Sequence, residues 1–61
     1  MTDEAALHLA TIIRQACIEA AQAGYEDAAL SGLCHEGAME AAISAIQMLD
    51  LNSLILSSSR R

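Results

Sequence analysis

A chain of 61 residues is too short for more than one domain, and a core of that size supplies only about 3 to 5 kcal/mol unless a crosslink, a metal or a partner adds to it. Two cysteines are too few for a disulfide framework, and no Cys-x-x-Cys or paired Cys/His spacing points to structural zinc, so oligomerisation is the remaining support. The net charge is −5, and two of the three basic residues are Arg60 and Arg61, which leaves no basic surface for phosphates and excludes DNA, RNA and anionic membranes as partners.

The composition is 54% hydrophobic, but much of that is alanine, with one Tyr, no Phe and no Trp, so each buried position contributes little area. Absent proline, abundant Ala, Glu and Leu and few β-branched runs predict an all-α chain. The opening Asp3 and Glu4 are not a basic leader, and the longest apolar run is far short of the ~20 residues that span a bilayer. The expectation is a cytoplasmic protein with reduced thiols.

Taken in order, Thr2 or Asp3 is the candidate N-cap, and Glu4 has the sign a helix N-terminus favours. Ala6, Ala10, Ile13, Cys17, Ala20 and Gly24 then follow three- and four-residue steps, with His8, Gln15, Glu19 and Gln22 on the opposite side. This seam of small residues allows close approach of another helix. The plain alternative to an interface is an ordinary core face. Past Gly24 the apolar pattern shifts, because Ala29, Leu30, Leu33 and Cys34 project to the side that was polar before. Either the helix kinks or breaks at Gly24, or one unbroken helix serves two neighbours. The kink is the preferred reading, with segments at 3–23, 25–36 and 38–49.

Met39, Ala42, Ile43, Ile46 and Leu49 carry the clearest helical period in the chain. Ahead of them Gly37 is the expected turn, following His35 and Glu36, with Glu40 then in the next helix's first turn. The rival turn is Ser31-Gly32. If Gly37 takes positive φ, Gly37→Val destabilises the fold strongly. Tyr25, the sole aromatic, is expected to pack over the joint at Gly24 with its hydroxyl at water or a polar partner.

The run Ala29, Leu30, Leu33, Gly37, Met39, Ala42 and Ile46 resembles the helix-turn-helix unit of tetratricopeptide repeats, with Ala42 as the small contact residue and Gly37 as the turn. It departs from them in having Glu26 where an early Trp is expected and no proline after the second helix. The resemblance covers about a third of the chain and implies a helical hairpin that needs a neighbour stacked on it. The string Tyr25-Glu26-Asp27-Ala28, Gly32-Leu33-Cys34 and Glu36-Gly37 is also similar to one in short uncharacterised bacterial all-α proteins, and it implies no activity.

Asp50, Asn52 and Ser53 offer capping side chains after the last periodic leucine, so the helix should stop there. Leu54, Ile55 and Leu56 form an apolar patch that either folds back over the bundle end or serves as binding surface. The expected organisation is one helical domain over 1–56 and a disordered polar tail over 57–61.

The triplet Cys34-His35-Glu36 is the one place where a thiol, an imidazole and a carboxylate adjoin. Neighbouring helical residues project about 100° apart, so Cys34 and His35 do not meet as nucleophile and base unless the backbone leaves the helix. A turn at Gly32 would instead set Cys34 near a helix N-terminus, where thiols become more reactive. His8 and Cys17 project to opposite faces of one helix, which defeats a single-chain metal site with Cys34 and His35 and leaves only one shared between subunits. No carboxylate pair is set in an apolar environment, and no glycine-rich phosphate loop is present.

These residues predict a helical hairpin preceded by a long N-terminal helix and completed as a bundle by self-association. The expected protein is non-catalytic, holds no metal or cofactor, and forms a homodimer or higher oligomer through Ala6, Ala10, Ile13, Cys17 and Ala20, with another protein as a further candidate partner. The alternative is a thiol-based redox sensor or small enzyme using Cys34.

Overall fold

Alanine-rich and free of proline, residues 4–30 form one continuous helix, α1 (Glu4–Leu30), in a computed structural model that describes residues 3–59. Asp3 is its N-cap, with the Leu7 amide donating to the Asp3 carbonyl at 2.8 Å. No side-chain cap bond forms there, and Thr2 lies outside the described residues.

Gly24 does not break α1. A Cβ at that position would stand 2.9 Å from the Ala41 carbonyl oxygen, 3.0 Å from Ala45 Cβ and 3.3 Å from Ala42 Cα. The missing side chain lets two helix backbones meet, and that close approach, rather than a kink, is its structural use. The shift of apolar pattern past Gly24 is not a change of covered face: Ala29 and Leu30 are exposed at the end of α1, and Leu33 and Cys34 are exposed in the turn beyond it.

The turn is at Gly32, the rival position, and the assignment to Gly37 is corrected. Gly32 has φ +96°, the only positive φ among the described residues. The Leu33 amide donates to the Ala28 carbonyl and the Gly32 amide to the Ala29 carbonyl, each at 3.0 Å, the paired bonds of a Schellman motif. Gly37 lies inside α2 (His35–Gln47), where the nearest atoms a Cβ would meet belong to the Leu33 side chain, the first at 3.2 Å. Glu36 is therefore the acidic residue of the first turn of α2, and Glu40 falls one turn later.

A short break follows Gln47, and α3 (Leu51–Ser59) begins at Asp50. One Asp50 carboxylate oxygen accepts the Ser53 amide at 3.2 Å, and the other accepts the Ser53 hydroxyl at 2.7 Å. This is an N-cap closed by its own third residue. Asp50 and Ser53 were expected to stop the final helix; instead they cap the start of a further one, α3. The patch Leu54, Ile55 and Leu56 is helical, and so is 57–59, which the sequence reading gave to a disordered tail; Arg60 and Arg61 lie outside the described residues.

The described chain is thus all-α: α2 runs antiparallel along α1, bringing Ala42 beside Gly24, and α3 also packs on α1. The chain measures 47 × 17 × 14 Å, an elongated rod. Among the described residues the buried side chains are Ala28, Ala38 and Ala42.

Candidate interaction surface

Small residues at the α1–α2 contact have a direct cost elsewhere. With Gly24 and Ala28 against Ala38, Ala41, Ala42 and Ala45, the two backbones come too close to enclose a large side chain between them. Larger apolar groups are displaced to the flanks and outer faces. Leu7 is 66% exposed, Ile18 44%, Met39 45% and Ile43 52%, each well above what a soluble core residue shows.

These four share a face. Leu7, Ile18, Ala21 and Tyr25 lie at whole-turn spacings along α1, as Met39 and Ile43 do along α2. An open groove of about 300 Å³ joins the two rows, lined by Ala21, Gln22, Tyr25, Glu26, Met39 and Ala42. Arg14 belongs to the same row of α1, where its aliphatic stem can lie on apolar surface with the guanidinium at the rim.

Tyr25 closes one end of that groove. Half-buried over the α1–α2 contact, it places its hydroxyl 2.9 Å from Nδ1 of His35, and the two rings meet edge to face with centroids 5.7 Å apart. The hydroxyl has the polar partner expected of it, but there is no joint at Gly24 for the ring to cover, and Tyr25 stands half-buried on a continuous α1. With Nδ1 unprotonated the phenol donates; with Nδ1 protonated the phenolic oxygen accepts.

The seam residues divide. Ile13, Cys17 and Ala20 are half-buried, on the side of α1 covered by the rest of the chain, while Ala6 and Ala10 are exposed near its N-terminus. The face Leu7, Ile18, Met39 and Ile43 was not singled out from sequence, although the spacing of Leu7, Ile18 and Tyr25 was there to be read.

No protein-family model, curated protein or solved structure matches this chain.

Cys34 is the N-cap residue of α2 and is exposed, and its side chain makes no capping bond. Its neighbour His35 directs Nδ1 to the Tyr25 hydroxyl, and the Cys34 backbone is extended, outside the helix that His35 begins. Cys17 is half-buried, and both thiols are free. Among the described residues, no three His, Cys, Asp or Glu side chains converge as a metal site. No single helix there is long and apolar enough to cross a membrane; α2 and residues 51–58 meet that length and composition only together, across a 54° bend.

Proposed function

We propose that this chain is a small non-catalytic helical protein that works by self-association and by binding other proteins, in a compartment such as the cytoplasm that keeps Cys17 and Cys34 reduced. One observation carries the reading: among the described residues the buried ones are three alanines, while ten large apolar residues, Leu30 and Met48 most of all, are 42% or more exposed. A rod of this kind gains too little from its own core to stand alone, and a second layer of helices supplies what it lacks. The resemblance to a single tetratricopeptide-type hairpin fits the same reading, since such units are stable when stacked. Sedimentation equilibrium of the purified chain tests it. A mass of two chains or more supports self-association, and a folded monomer across the micromolar range overturns it.

A second reading rests on Cys34, which stands exposed at the start of α2 and suits a thiol sensor. Replacing Cys34 by Ser separates the two. Partner binding and cellular phenotype unchanged in that variant would end the sensor reading, and so would slow alkylation of Cys34 in the folded protein.

A further inference from the structure

Resting on the self-association reading, we infer that the occupant of the α1–α2 groove face is a second copy of this chain, docked through Ile18, Tyr25, Met39 and Ile43 about a two-fold axis. The area argument comes first. A compact monomer of 6.4 kDa exposes about 3,800 Å² by the size scaling of folded proteins, whereas this chain exposes 4747 Å². The excess is close to the roughly 800 Å² that each partner buries in a standard specific interface.

The shape of the face is self-complementary. A two-fold interface requires the same patch to carry both projection and recess, because each copy receives what it inserts. Ile18 lies one helical turn before Ala21 and Ile43 one turn after Met39, which in the antiparallel pair sets both exposed isoleucines toward the same end of a recess lined by Ala21, Gln22, Tyr25, Glu26, Met39 and Ala42. A recess of about 300 Å³ has room for a branched aliphatic side chain from the other copy. Two such insertions, related by symmetry, convert two rods one layer thick into a four-helix arrangement with an interior.

Charge favours a chain of this kind over a bilayer. Gln22 and Glu26 line the groove, and Glu36 and Glu40 stand on the same helix as Met39 and Ile43. Against an anionic lipid surface those carboxylates repel. A second copy, unlike an anionic lipid surface, brings Arg14 on the same face as a counter-charge to these carboxylates. The commitment is to a homodimer through this face and not through the Ala6–Ala20 side of α1, part of which is already covered within the chain.

The test compares wild type with Ile18→Glu, Ile43→Glu and a control, Leu30→Glu, whose parent residue is 87% exposed at the far end of α1. The inference expects each of the first two to weaken dimerisation by roughly 30-fold or more, and the control to leave it unchanged. Should the charged variants not fold alone, a wild-type sample mixing isotope-labelled and unlabelled chains decides by intermolecular NOEs. Contacts from the Ile18 or Ile43 methyls to the other copy's Tyr25 ring support the face. A wild-type dimer that keeps its affinity in folded Ile18→Glu and Ile43→Glu, or whose NOEs fall elsewhere, overturns this face and spares self-association. A folded monomeric wild type overturns both. Binding of a monomer to phosphatidylcholine vesicles, lost in Ile18→Glu, would give the face to a lipid surface and overturn the second copy.

Discussion

Gly24 and Ala41 sit so close that a single methyl group on Gly24 would stand 2.9 Å from the Ala41 carbonyl oxygen. The contact involves backbone, which cannot swing aside as a side chain does. In an isolated helix Gly→Ala is worth about 1 kcal/mol of stability. Here the overpacking cost, typically about 1–3 kcal/mol, opposes that gain. Gly24→Ala should therefore lower stability by up to about 2 kcal/mol in denaturant unfolding, and Gly24→Val by more. A rise in midpoint for Gly24→Ala would show that the helices are not in backbone contact.

The two other glycines should respond in opposite directions. At Gly32 an added Cβ meets nothing within 4 Å, but φ +96° is strained for any L side chain, so Gly32→Ala should cost about 1–2 kcal/mol through the backbone alone. Gly37 is helical, and the nearest group is the movable end of Leu33, itself 48% exposed. Gly37→Ala should be neutral or stabilising by up to about 1 kcal/mol. The reverse order in thermal unfolding would return the turn to Gly37.

Acid should fray α3 before it affects α1. The Ser53 hydroxyl, then the Ser53 amide, hold the Asp50 carboxyl below its ordinary value. A depressed folded pKa means stability that is present above the ordinary carboxylate range and lost as pH falls through the folded value. Asp50→Asn should remove this part of the pH dependence, and Asp50→Ala should reduce helicity of 51–59 at neutral pH. NMR carbon shifts along α3 report both, and shifts unchanged by either substitution would count against the cap.

Tyr25 should matter as a body more than as a hydroxyl. Its bond to His35 is solvent-exposed, so Tyr25→Phe should cost less than about 1 kcal/mol. Tyr25→Ala strips the wall of the groove and the ring contact with His35, and should cost several times more in the same urea titration. Equal losses for Phe and Ala would place the energy in the hydrogen bond instead.

Helical class and a break in the helix just before Asp50 were legible, because each depends on local spacing and turn-forming side chains, but that Asp50 caps a further helix was not read. The turn was not, because His35, Glu36 and Gly37 fit a helix end and a helix start almost equally well. What separated them is that Leu33 and Gly32 close bonds back to Ala28 and Ala29, a matter of backbone geometry. Gly24 was misread for a related reason: glycine in a helix lowers stability in the free peptide, and its merit appears only when Ala41 and Ala45 arrive from the other helix. The seam Ala6, Ala10, Ile13, Cys17 and Ala20 reads from its spacing as an interface with another copy, and the sequence alone could not say that Ile13, Cys17 and Ala20 would be half-buried against the rest of the same chain.

A core of Ala28, Ala38 and Ala42 also shapes the calorimetry of this protein. The heat capacity gained on unfolding comes from newly hydrated apolar surface, and alanines hidden between two helices supply little of it. A lone chain should therefore melt over a broad interval, with a heat-capacity step well below the usual ~12–15 cal/mol/K per residue. In an assembled state the exposed leucines and isoleucines would enter the thermodynamic unit, sharpening the transition and making its midpoint climb with protein concentration.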